Sequence, residues 1–320
     1  MPISTEIIPL PLPTSATLSR LSRIRYLAHI SLFAVALAGL GVLEGSSTGV
    51  DAVHPQPLPS SADQFVNEVL PHEVEAQVQD HALWTYLERK RVDGVWKLFH
   101  VYQTQEGQID RLVAVNGQPL TSAQLEDEDQ RIQRLISRPS QVRQRQKRER
   151  EDGVQAQNLL KMFPAAFRFQ YDGKQGSLVR LRFTPNPHFE PTDHTTQVFH
   201  HMEGTMLLDP EQKRLAAING TLTSEVKFFA GLLGHLDKGG TFNVTQQEVS
   251  PHLWEVTNMH VHMCGKALFF KTIDAQEDEN YSDFQPVPSD TTLQQAAELL
   301  KQAPIDLPPA QAKTQAQVKN

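Results

Sequence analysis

The segment NMHVHMCGKALFF, residues 258–270, places His260, His262 and the chain's single cysteine, Cys264, at alternate positions. Residues two apart on an extended strand share a face, and two imidazoles on one face can converge on one zinc ion. The chemistry such a pair would support is metal-assisted hydrolysis, with His200, Asp193 or Glu203 from another strand completing the ligand set. Gly265 follows Cys264 directly, so the sequence places a hairpin turn at Cys264-Gly265. That turn would swing the thiol off the histidine line and leave a two-histidine arrangement. The chain has 13 histidines but no HExxH and no Cys-x-x-Cys. The plainer reading of His260 and His262 is exposed strand residues, so the expectation is no metal site, with a metal-dependent hydrolase using this pair as the alternative.

Other chemistries find less to work with. There is no Gly-x-Ser-x-Gly, and Cys264 has no evident base beside it. The carboxylates from Glu126 to Asp129 fall on a helix that reads as exposed. GLLGHLDKGG, residues 231–240, lacks the GxxxxGK[ST] order of a phosphate loop. We therefore expect no catalytic residues and no cofactor.

Composition narrows the partners. A chain of 320 residues with 39% hydrophobic content can bury a sizeable core. With 37 acidic against 30 basic residues it has no global field for nucleic acid. The basic run Arg143–Arg150 is interleaved with Glu149 and followed by Glu151 and Asp152, which reads as a solvated helix face. One cysteine excludes an internal disulfide and any zinc site built from several thiolates.

The amino end carries an export pattern. Arg20, Arg23 and Arg25 precede the apolar run YLAHISLFAVALAGLGVL, Tyr26–Leu43. Residues 1–43 are thus a signal peptide, with Ala36-Leu37-Ala38 as a small-x-small cleavage site, or a membrane anchor just long enough to span. Either outcome puts the rest of the chain in the periplasm or cell envelope, tied to the inner membrane if the run is retained. Cleavage would remove three arginines and Glu6, taking the net charge from −7 to −9.

The elements that must position any site follow. Residues 44–61 read as a flexible tether and 303–320 as a disordered tail, which leaves 62–302 as one domain. From Ala62 to Leu87 apolar residues recur at helical spacing, and Pro71 splits them into one or two short helices. VWKLFHVYQT and QIDRLVAV form a hairpin through QEG. A helical insertion occupies about 121–163: Thr121 and Gln124 form a capping box for a helix over about 122–137, and Pro139 separates it from a second helix-rich stretch. LVRLRF, the segments around GTMLLDPEQKRLAAINGTL, FNVTQQEV and HLWEVTNMHVHM then alternate with period two. Successive hairpins with helices grouped between them make the class α+β, with a mostly antiparallel sheet.

The stretch GTMLLDPEQKRLAAINGTL, its following glycine-rich loop, and the hairpin around Trp254 and Gly265 resemble the half-barrel proteins of the lipoprotein-localisation carrier superfamily. The resemblance covers roughly residues 160–290. The whole chain, including the NGQPL turn, also resembles uncharacterised exported proteins of soil bacteria. The superfamily likeness implies a strongly curved sheet, with helices packed over one face, that binds or senses a lipid, an acyl chain or a lipoprotein. Such a fold needs an apolar concave face, and the residues of suitable parity are Val198, Met202, Met206, Leu208, Ile218, Leu222, Phe228, Phe242 and Val244. The same residues would serve equally as core beneath the helices. The remaining alternative is a structural module that presents its helices to a protein partner.

Overall fold

The computed structural model describes residues 58–193, 196–228, 234–267 and 271–303. Residues 1–43, read as an export segment, most of the tether and nearly all of the tail lie outside the described residues. Among those described, no helix is long and apolar enough to cross a membrane.

The first helix among the described residues is α1 (Ala62–Gln79), capped by the Ser61 hydroxyl. An antiparallel meander follows: β1 (Trp84–Val92), β2 (Val95–Thr104), β3 (Gly107–Val115) and the short β4 (Gln118–Pro119). Two helices come next, α2 (Ser122–Ile136) and α3 (Pro139–Ala166). The main run of strands is β5 (Phe167–Gln175), β6 (Leu178–Pro185), β7 (Met202–Asp209), β8 (Arg214–Leu222), β9 (Val226–Phe228), β10 (Gly234–Leu236), β11 (Thr241–Ser250), β12 (Leu253–Ala267) and β13 (Lys271–Pro286), and helix α4 (Leu293–Gln302) follows it.

The thirteen strands described join one open, curved antiparallel sheet, eleven of them in the order β4-β3-β2-β1-β13-β12-β11-β8-β7-β6-β5, with β10 paired to β12 and β9 to β10 off this path. The fold is α+β, as the sequence pattern indicates. The β12–β13 hairpin is the spine of the sheet, with strands of 15 and 16 residues, each about 50 Å long. β13 takes β1 on its far edge. β12 carries β11 along its first part and β10 at Gly265–Ala267.

The main core lies between one sheet face and two helices. Phe65, Val66, Val69, Leu70 and Val74 of α1 and Leu159, Leu160 and Phe163 of α3 pack on inward residues of β5–β8, β11 and β12. Each such fully buried side chain contributes about 1.5–3 kcal/mol. Phe163, Phe167, Phe183 and Phe199 form an edge-to-face and tilted ring cluster with centroids 4.6–5.6 Å apart. Two glycines make room for this layer: Phe183 and Phe242 flank Gly204 and Gly220 in one row of the sheet. A Cβ on Gly220 would stand 2.4 Å from the Phe242 ring, and one on Gly204 1.9 Å from the Asn219 carbonyl.

A second cluster, with Ile109, Ile132, Val142, Ala296 and Leu300, fastens α2, α3 and α4 to β3. α3, about 42 Å long, bridges both clusters. Its basic face is only partly solvated. Arg145 bonds the Asp110 carboxylate at 2.6 Å, and Arg131 of α2 reaches Asp110 as well. Burial opposes ionisation of Asp110, but Arg145 and Arg131 outweigh it and hold its carboxyl below the usual range.

Three local expectations need correction, and one helix had no counterpart among the elements expected from the sequence. α1 runs unbroken through Pro71, because Pro71 and Asn67, whose carbonyl loses its helical donor, both face solvent. β1 forms where the sequence reading continued a helix, since its burial alternates although its outward and inward residues are mixed in type. α4 follows β13, started by the Thr292–Gln295 capping box. Finally, β12 continues through Cys264-Gly265 with no turn there. Gly265 is required for a different reason: a Cβ would lie 2.1 Å from the His235 carbonyl, where β10 crosses closely over it.

Candidate functional site

The apolar face anticipated for a ligand is present and covered. Met202, Met206, Leu208, Ile218, Leu222, Phe242 and Val244 lie on β7, β8 and β11, all buried, and Val198 is buried in the 3-10 turn Thr196–His201. Phe228, on β9, packs against the same cluster from its margin. α1 and the C-terminal half of α3 rest on these residues as core. Every methionine after Met1 is in this layer or against it: Met202, Met206, Met259 and Met263 within it, Met162 beside it. Unbranched thioether side chains adapt to irregular gaps at low cost.

Between α1, α3 and the sheet remains a cavity of about 20 Å³, lined by Gln77, Leu160, Leu215, Ile218, Val244 and Gln246 among others. That is room for roughly one water molecule, against several hundred Å³ for a small-molecule pocket. An acyl chain fits this face only if the helices move.

One buried polar network holds α1 down. Glu73 is fully buried, and its carboxylate accepts from Arg214 Nε at 2.8 Å, the Leu215 N–H at 2.8 Å, Gln77 at 2.7 Å and Gln246 at 3.2 Å. The Arg214 guanidinium in turn lies over the Trp254 ring at 5.6 Å. The charge is paired and its acceptor positions are filled, as burial demands.

The histidine motif lies on the opposite, outer face of β12, since Met259, Val261 and Met263 point into the core. His260 Nδ1 is hydrogen-bonded to the Asp278 carboxylate across on β13. His262 turns instead toward Cys264, with Nε2 and Sγ 3.4 Å apart. The pair therefore does not converge on one point, and the ligands anticipated to complete it are distant or engaged by other residues. Glu203 lies in the same row as His262, but through Thr221 and Thr241, three strand spacings or about 14 Å away. Asp193 accepts from the Thr196 N–H at 2.9 Å, and His200 packs on Phe189. His260 and His262, the pair of the alternative hydrolase reading, thus engage different partners, and Cys264 stays on the histidine line.

What the sequence reading missed is the acidic row opposite. Asp274 faces Cys264 in register and Asp278 faces His260. The alternation in IDAQEDEN, residues 273–280, was the available signal, but it needs the register to be useful. Burial pushes the Cys264 thiol up, and the nearby Asp274 and Asp237 carboxylates push it the same way.

Comparison with known proteins adds little. No protein-family model matches the chain, and no curated protein matches its sequence. It is similar to the crystal structure of a DUF1329 family protein from Desulfovibrio piger ATCC 29098, at 9% identity over 69% of this chain and 92% of that one, with a TM-score of 0.24. A likeness that slight bears on neither the site nor its ligand.

Proposed function

We propose that this is an exported, non-enzymatic envelope protein that binds or senses an acyl chain, as a lipid or as part of a lipoprotein, on the face of its curved sheet. α1 and the C-terminal half of α3 act as the lid. The observation that carries this reading is the methionine-rich layer between an open sheet and two covering helices. Hydrocarbon entering that layer would replace helix–sheet contacts with chemically equivalent ones, so exchange costs little in transfer free energy. The cavity of about 20 Å³ beside Leu160 and Ile218 is where insertion would begin. The resemblance to the lipoprotein-localisation carrier superfamily, and the Arg20–Leu43 export pattern, support the same assignment, with a partner in the membrane or envelope.

The test is organic extraction of the purified full chain followed by lipid mass spectrometry. The proposal expects a co-purifying lipid at near-stoichiometric yield, reduced when Met202 and Met206 are both changed to Gln. Protein free of lipid, which also fails to take up a fluorescent fatty acid, would overturn it.

A further inference from the structure

The outer face of β12 carries a constellation independent of the lidded layer. His262 and Cys264 are neighbours on one face of β12, and Asp274 stands directly across from Cys264 on β13. His262 Nε2 lies 3.4 Å from Cys264 Sγ, and Cys264 Sγ lies 3.9 Å from Asp274 Oδ1. All three donor atoms fall within 4.8 Å of one another.

These separations can be compared with what an ion would require. Tetrahedral zinc bonds imidazole nitrogen at about 2.0–2.1 Å, thiolate at about 2.3 Å and carboxylate oxygen at about 2.0–2.2 Å, which sets donor–donor edges of about 3.4–3.6 Å. The two edges through Cys264 match within a few tenths of an ångström. Since His262 and Asp274 are exposed, small rotations of their side chains close the third. Asp237 is next to the group: its N–H donates to the Cys264 carbonyl at 2.8 Å, its charge reaches the thiol, and its carboxylate stands 3.2 Å from His235 Nε2.

We propose that His262, Cys264 and Asp274 bind a borderline-soft divalent cation, zinc foremost, with water or the Asp237 carboxylate at the fourth position. One sulfur, one nitrogen and one oxygen donor disfavour magnesium and calcium, which take oxygen shells. On binding, the Cys264 thiol gives its proton to solvent and the sulfur lone pair forms the metal bond, so no oxidant or reductant takes part. His260 is not a ligand, because Asp278 already engages it. The ion would join β12 to β13 and leave the lid untouched, so the site stands or falls separately from lipid binding.

Titration of the reduced full chain with cobalt(II), followed by zinc, tests this. The expected result is a thiolate-to-cobalt charge-transfer band that saturates at one ion per chain and is displaced by zinc. Cys264→Ser should abolish the band. His262→Ala and Asp274→Asn should each weaken cobalt binding about tenfold or more, and His260→Ala should leave it unchanged. All four substitutions are on the outer face of the hairpin, and unchanged circular dichroism would show that each variant folds. Absence of the band in the wild type overturns the proposal. So does a band whose affinity is the same in His262→Ala and Asp274→Asn, which would assign the ion to the thiol alone.

Discussion

Replacing Glu73 by methionine should destabilise the domain far more than its single-residue size suggests. The carboxylate makes four hydrogen bonds without any solvent exposure, and its loss strands the Arg214 guanidinium, itself buried, without a counter-ion. Removing one partner of a buried pair costs about 3–5 kcal/mol, because the remaining charge keeps its desolvation penalty and loses its compensation. Arg214→Met should cost about as much, by the same argument applied to Glu73. The double variant, Glu73→Met with Arg214→Met, removes both charges and fills the space with thioether. Such replacements range from neutral to stabilising, so the double variant should be much more stable than the sum of the singles implies. The assay is urea unfolding followed by tryptophan fluorescence, in which Trp254 reports directly because Arg214 lies over its ring. The slope with urea should hold constant so that midpoints compare. The reasoning is refuted if either single substitution costs less than about 1 kcal/mol, or if the two effects simply add.

Two further predictions concern packing and pH. Gly220→Ala brings a Cβ to 2.4 Å from the Phe242 ring, and Gly204→Ala brings one to 1.9 Å from the Asn219 carbonyl. A ring can shift and a paired backbone cannot, so Gly220→Ala should cost about 1–3 kcal/mol and Gly204→Ala more; thermal melts showing the reverse order would contradict this. Burial, reinforced by Asp80, pushes the Glu255 carboxyl up to about 8, while Arg214 partly opposes the shift. The folded state then holds a proton that the unfolded chain has released. Stability should therefore fall as pH rises from about 4.5 to about 8, by at most about 1.4 kcal/mol per unit. Glu255→Gln should flatten that dependence, and urea midpoints at pH 5 and pH 8 that respond alike in both proteins would count against it.

Period and punctuation made much of the fold readable. Strict alternation at Val179, Leu181 and Phe183, and the shared parity of Met202, Met206 and Leu208, identify inward faces that the structure buries. The Thr121–Gln124 capping box marks the start of α2 to the residue. The same signature at Thr292–Gln295 would have located α4, whose Ala- and Gln-rich composition hid it. β1 was concealed because its inward positions include Glu88, buried beside Lys90, where an apolar residue was expected. Gly265 shows how one residue type answers two needs: its sequence context suggests a turn, yet close backbone approach by β10 is what requires it.

The sites were harder to read than the fold, for a topological reason. Glu73 and Arg214 are 141 residues apart in the chain, and no local pattern links them. Asp274 meets Cys264 only once the β12–β13 register is fixed. The histidine spacing was visible from the start, but spacing alone could not show that His260 and His262 engage different partners.

The central claim is that α1 and the end of α3 are a lid over a hydrocarbon-binding face. Hydrogen exchange of the full chain, with and without a long-chain lysophospholipid, measures this directly. The account predicts that lipid strips protection from the amides of α1 and of residues 156–166 while β6, β7, β8 and β11 keep theirs. An exchange pattern unchanged at saturating lipid would contradict it, and would leave the methionine layer as core alone.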